Sequence, residues 1–540
     1  MHGPLQPFTF LFLSSVLPLQ RPHADKAPPS VTTSLQTGVL SGARNRSLSI
    51  GAQIAILITV HVLLWTWVGV SSRSNFDTPG DMVEAYAWSQ GWQWGYYKHP
   101  PLSAWVAGLW FAVVPEGNLG YSLLAALNCA IGLGGLAVLA REFLPRNWVL
   151  LTVAVASLAP GITTVAMRFN ANAILVSSWP WALALFVRMM HRGRARDAVL
   201  CGVACALAML GKYYSAVLLL SMFAAALWLP QWRGRLWSAP FALALATFVV
   251  CMAPHTAWLL AQTQGPLQYA QAATGHESHG EAVMRACTFF LAQCIFPLLA
   301  FLALRLAIGG PAGHRAFFRA AAAPLMPRND TIWLLAMLPV LATMVITVGT
   351  GARTSSVWGL AIAAGLALLA ASRAREAGAT LSLPRLWQTL GVIWTAVALL
   401  APIYWYSRAE LRVPTAVEPR EELAQALART WHTEFGGALP WVSGTRALAA
   451  SAAFYAHEHP RYWSLWNSAI ETPWVDTSEV KTHGAMIVCD TTDAACQSLG
   501  ESWTLDRRAI TVAKSEHGYH FDAVEYVVYL VPPSLRVEPH

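Results

Sequence analysis

Charge is scarce in this chain. Only 12% of its 540 residues are Asp, Glu, Lys or Arg, while 55% are hydrophobic. A surface cannot be kept in water on so little charge, which excludes an ordinary soluble domain. A cleavable leader is not expected either. The apolar stretch at 8–19 is too short to span a membrane, and Arg21 follows it without a cleavage signal. Residues 1–48, rich in Pro, Ser and Thr, read instead as a disordered cytoplasmic tail or as the product of a start codon placed too early. Cysteine is sparse: six of the eight lie in or beside apolar runs and read as small packing residues. No inverted repeat is visible, and such a repeat is the usual sequence mark of a transporter.

What is abundant is long apolar sequence. Runs of roughly 18 to 25 residues recur, as helices need to cross about 30 Å of hydrocarbon. Eleven spans are expected, at 50–71, 119–140, 147–166, 171–191, 197–211, 214–230, 238–260, 286–308, 331–350, 355–372 and 386–405. The net charge of +8 comes from arginines in the connections, so it speaks to topology and not to nucleic acid. Arg44 and Arg46, Arg141 and Arg146, Arg192 to Arg196, Arg233 and Arg235, Arg315 to Arg328, and Arg373 and Arg375 all fall on one side if the amino terminus is inside. This requires the proline-led run 102–115 not to cross. The first external loop is then 72–118, and everything after 406 is external too.

The last part, 407–540, changes character. Charge returns, and helix-like ELAQALARTW and TRALAASAAFYA alternate with strand-like LPWVSG, AMIVCD and AVEYVVYLVP. This predicts a small external α/β domain. Its two cysteines, Cys489 and Cys496, are disulfide candidates in an oxidising compartment. The expected fold is therefore mainly α: a membrane domain over 49–406 and an α/β domain over 407–540.

The first external loop is the most unusual connection. Residues 81–102, DMVEAYAWSQGWQWGYYKHPPL, join two carboxylates, a Lys-His pair and a double proline to a cluster of aromatic rings. Asp81 and Glu84 are three apart and would share a helix face. The rings suit the headgroup zone, so a plain interfacial anchor helix is the competing reading.

The run DMVEAYAWSQGWQWGYYKHPPLSAW resembles the first-loop signature of glycosyltransferase family 39, the protein mannosyltransferase-like and lipid A aminoarabinose transferase-like enzymes. RFNANAILVSSWPW (168–181), LGKYYSAVLLLS (210–221), PHTAWLLAQTQGPLQYA (254–270) and a polar turn before Trp358 follow in the expected order. The resemblance covers roughly residues 50–405. It implies a GT-C fold in a bacterial inner membrane and transfer of a sugar from a polyprenyl-phosphate carrier to a hydroxyl or amine acceptor at the periplasmic face. The acceptor class (lipid, glycan or protein) is left open.

Such chemistry needs a base for the acceptor proton and cations for the phosphate. Asp81 aligns with the family's first-loop Asp and is assigned the base, with Glu84 as second candidate. Lys98, His99, Lys212 and Arg353 are candidates for the donor phosphate. Asn170, Asn172, His255 and Tyr269 are candidates for sugar or acceptor. Relatives often carry an acidic residue where this chain has Asn172, and an amide serves neither as base nor as a strong metal ligand. No protein metal site is therefore assigned, and a divalent cation remains open as a cofactor. The cluster His276, Glu277, Ser278, His279 lacks a third ligand at zinc spacing and reads as a solvated loop. The main alternative function is a transporter or flippase of a lipid-linked sugar, without transfer chemistry.

Overall fold

The computed structural model describes residues 48–75, 80–262, 265–275, 277–295 and 298–534. The tail expected over 1–48 lies outside these, apart from Leu48, as does His276 of the loop cluster. Among the described residues, eight helices are long and apolar enough to cross a membrane, or nine if the pair Ser215–Trp228 and Pro230–Trp237, bent by 106°, counts as one span. Each of the eleven expected segments does hold a helix. Three of them, Arg146–Ala156, Ala195–Gly211 and Ser215–Trp228, are shorter than a full span. The sequence explains two of the shortfalls. The first gives way to a 3-10 turn at Pro160–Ile162, and the last stops before Pro230, as a proline without an N–H demands.

The first helix, Ile50–Ser72, starts where Ser49 accepts a hydrogen bond from the Ala52 N–H at 3.2 Å. It packs closely on Asn118–Ala140 because Gly69 leaves no Cβ to strike Ser122. The same device brings Asn118–Ala140 onto Ile174–Arg192, where a methyl on Gly132 would collide with the Val176 carbonyl. Small residues at crossings are how apolar helices gain contact in lipid. The run expected not to cross holds the helix Leu102–Phe111, ten residues long. At 1.5 Å per residue that is about 15 Å, half the hydrocarbon thickness.

The last long helix, Leu383–Glu410, continues four residues past the expected boundary before the chain turns into the α/β part. Here a five-stranded mixed sheet runs in the order Arg461–Tyr462, Trp441–Gly444, Ala485–Asp490, Val524–Val531, Arg507–Val512. The three strands read from sequence are its centre. The two unforeseen ones are its edges: Arg461–Tyr462 has two residues, and Arg507–Val512 opens on two arginines and leaves every second residue down to Thr511 exposed. Cys489 and Cys496 are joined, Cα to Cα 5.7 Å, tying strand Ala485–Asp490 to the helix Ala494–Glu501.

This sheet domain is packed onto the first loop. Phe454 of helix Arg446–Tyr455 meets Tyr86, Phe111 and Tyr121 with ring centroids 5.1, 5.3 and 5.1 Å apart. The Gln90 side chain donates to the Pro460 carbonyl at 3.3 Å and accepts from the Tyr462 N–H at 2.9 Å. Burial of four rings makes this a permanent contact and not a tethered one.

Candidate active site

Asp81 opens a nine-residue helix, Asp81–Ser89. The preceding Gly80 has φ +102, a conformation open to glycine at no cost, and abuts Ala447 of the sheet domain. The helix then buries Met82, Val83, Tyr86 and Trp88, leaving Asp81 exposed and Glu84 half-buried on the opposite face. Trp88 stacks on Tyr96 at 5.2 Å, and Tyr96 meets Trp474 of the sheet domain. The aromatic residues of the loop are thus an interlocked scaffold that fixes the polar ones.

A cavity of 180 Å³ opens beside this helix, lined by polar groups from four separate stretches of chain. Seven of the ten residues assigned to chemistry from sequence line it: Asp81, Glu84, Lys98, His99, Asn170, Asn172 and Tyr269. Within it the Asn170 amide donates to Asp81 at 3.4 Å, while its own oxygen accepts from the N–H groups of Asn172 and Ala173 at 2.8 and 3.1 Å. That turn holds the amide in one orientation. Lys98 donates to Glu84 at 2.6 Å and sits over the Tyr97 ring at 5.2 Å. Burial raises the Glu84 carboxyl above its ordinary range, against the pull of Lys98. Lys98 is itself dehydrated, yet Glu84 lifts its ammonium above the usual value. Burial, helped by Lys212 and Lys98, pushes His99 down to about 3, so its ring is neutral at physiological pH.

Lys212 borders the cavity through Asn172, whose amide oxygen accepts its hydrogen bond, and lies 4.9 Å from the Trp358 ring centroid. It caps the helix Ala195–Gly211. Among the described residues no carboxylate lies within ion-pair distance of it. Dehydration brings the ammonium down to about 8, with the charge of Asp81 opposing the fall.

Two candidates stand elsewhere. His255 donates from Nδ1 to the Trp94 carbonyl at 2.6 Å and accepts from the Tyr213 hydroxyl at 3.1 Å. It therefore braces the loop from behind. Arg353 pairs with Glu277 at 3.6 Å beside Arg285, and is not among the lining residues. Sequence reasoning missed the contribution of the sheet domain. Arg446 forms a two-pronged pair with Glu471 at 2.5 and 3.1 Å, and their charges reach Tyr97 on the loop. Only proximity in space reveals this. Among the described residues no three His, Cys, Asp or Glu side chains gather as metal ligands do.

Solved structures share this architecture. ArnT from Cupriavidus metallidurans bound to undecaprenyl phosphate superposes with a TM-score of 0.55 over 91% of this chain and all of that one, at 14% identity. Its apo state gives 0.53 over 88% and 98%, at 15% identity. This is a GT-C fold. The family model for dolichyl-phosphate-mannose-protein mannosyltransferase matches residues 98–258, which run from Lys98 past His255. Lipid A galacturonosyltransferase RgtD of Rhizobium johnstonii is 25% identical over 244 residues, 44% of this chain. The match spans half of that relative's length. The likeness to glycosyltransferase family 39 read from the motifs thus extends to the GT-C architecture of a multi-pass membrane protein.

Proposed function

We propose that the protein is a membrane glycosyltransferase that moves a sugar from a polyprenyl-phosphate carrier to a hydroxyl or amine acceptor. Asp81 is the general base and Lys212 the principal cation for the carrier phosphate. The observation that carries this reading is the pairing pattern around one cavity. Lys98 is already neutralised by Glu84, whereas Lys212 hydrogen-bonds a neutral amide, forms no ion pair with a described carboxylate, and is free to receive an anion. The relatives point the same way: one solved structure holds undecaprenyl phosphate and a curated relative is named a galacturonosyltransferase.

The chemistry is a single displacement. Asp81 takes the acceptor proton, the freed oxygen or nitrogen pair attacks the anomeric carbon, and the bond from that carbon to the phosphate oxygen breaks. The phosphate leaves with the electron pair, and Lys212 stabilises its added charge. One displacement inverts the anomeric centre. Asn170 holds the Asp81 carboxylate in place, and Asn172, Tyr269 and the neutral His99 are the groups left to contact sugar hydroxyls. We further propose that the cavity and the sheet domain face the periplasm of a bacterial inner membrane, with the amino terminus cytoplasmic. The gathering of candidate residues in external segments supports this.

The test uses purified protein in lipid with a panel of polyprenyl-phosphate sugars and follows release of free carrier phosphate. Release from one sugar, lost in Asp81→Asn, is expected. Equal release by both proteins removes Asp81 as the base. Carrier binding without turnover, even with acceptors added, favours the transporter.

A further inference from the structure

The mechanism leaves unused a group of arginines remote in sequence from the cavity loops. Residues 282–329 contain no Asp or Glu, and neither do 378–409. The fold brings these two acid-free stretches together. Ile308–Gly309 and Thr380–Leu381 form a short antiparallel ribbon, Ile308 opposite Leu381 and Gly309 opposite Thr380. The ribbon sets the end of helix Leu298–Ala307, which carries Arg305, beside the start of Leu383–Glu410, which carries Arg385. The Arg385 guanidinium lies against Gly309, so that a Cβ there would stand 3.4 Å from Nη1. Arg305 donates to the His314 ring at 3.2 Å, and His314 opens the exposed side of the helix Gly313–Ala321.

On that helix Arg315 and Arg319 are one turn apart and exposed, while Ala316 and Ala320 are buried beneath them. None of Arg305, Arg315, Arg319 and Arg385 is paired with a described carboxylate. The two nearest acids in sequence, Asp330 and Glu376, are engaged by Arg328 and Arg373. Unpaired cations alone are an ordinary loop surface. Here they are bordered by apolar side chains that water would not favour: Phe318 is 67% exposed between the two arginines, and Leu325 and Met326 follow at 66% and 53%. Leu302 and Leu306 are exposed on the helix that carries Arg305. Basic groups rimmed by exposed apolar ones match the boundary between headgroups and acyl chains.

We propose that Arg305, Arg315, Arg319 and Arg385 form a seat for the phosphate of an anionic membrane phospholipid, whose chains lie along Leu302, Leu306 and Phe318. The guanidinium fork suits phosphate oxygens, and a zwitterionic headgroup forfeits most of the attraction. The site is independent of sugar transfer.

The test is native mass spectrometry of the full chain in detergent, titrated with phosphatidylglycerol or with phosphatidylcholine of the same chains. Wild type is expected to retain phosphatidylglycerol at least about tenfold more tightly than Arg315→Gln/Arg319→Gln, with phosphatidylcholine weak on both. Arg315→Lys/Arg319→Lys, which keeps the charge, should retain the preference for phosphatidylglycerol, and Arg385→Gln alone should lower it if the double Gln protein does not fold. Glycerol phosphate should not compete. Equal retention of phosphatidylglycerol by wild type and the Gln variants, or of both lipids by wild type, overturns the proposal. Competition by glycerol phosphate overturns it too, in favour of a soluble-phosphate site.

Discussion

The loop side and the helix side of the cavity each contribute a lysine, and the two are kept in opposite ways. On the loop side Lys98 is closed in by Glu84, Tyr97 and Trp88, its charge spent within the protein. On the helix side Lys212 rests on the oxygen of Asn172 and the face of Trp358, its charge unspent. A cation that is already neutralised organises the fold, and one that is not is available to a ligand. By the same contrast Asp81 is exposed and held by an amide, while Glu84 is engaged by Lys98.

The largest break in this comparison comes from the two groups left available, Asp81 and Lys212. Asp81→Asn should lower turnover by about 10²–10⁴-fold while carrier binding persists, as measured by release of carrier phosphate and by binding of the labelled carrier. Next, Lys212→Met should cost about 10²–10³-fold in turnover and weaken carrier binding, with no loss of thermal stability, because a half-buried charge is exchanged for an apolar chain of similar size. If protonated Lys212 receives the phosphate, kcat/KM should fall as pH rises through about 8, and that limb should vanish in Lys212→Met.

The paired groups, Lys98 and Glu84, should respond in stability. Lys98→Met leaves Glu84 without its partner and should cost about 1–3 kcal/mol, read as a lower melting midpoint, with part of the loss recovered in Glu84→Gln/Lys98→Met. The effect smallest at neutral pH, because it develops only in acid, concerns His99. Its folded value of about 3 lies below the ordinary 6.5, so the unfolded chain takes up a proton that the folded one refuses. Stability should therefore decline as pH falls from 6.5 towards 3, and His99→Gln should make the decline shallower. A steeper melting profile in His99→Gln contradicts a neutral His99.

Much of this site was legible in the chain because membrane helices write plainly. Long apolar runs marked each of the eight helices of spanning length among the described residues, and polar residues at their ends were few enough to be noticed singly, as with Lys212. Family motifs supplied Asp81 and its alignment. Pairing in space was not legible: nothing in the order of residues says that Lys98 closes on Glu84, or that His255 turns to the Trp94 carbonyl. Span lengths misled in a specific way. Hydropathy runs on through Ala156 to Ala166 without registering that Pro160 and Gly161 end the helix. Edge strands such as Arg507–Val512 escaped because half of their residues are polar and charged.

One contact has an evolutionary corollary. Gly80, at its left-handed turn, touches Ala447, so the helix that aims Asp81 is seated directly on the sheet domain. A change at Ala447 therefore bears directly on the start of the Asp81 helix, alongside the Phe454–Tyr86 packing. The two segments are expected to vary together: a chimera that swaps residues 411–534 between relatives should keep more of its thermal stability when it carries its own 80–105 segment.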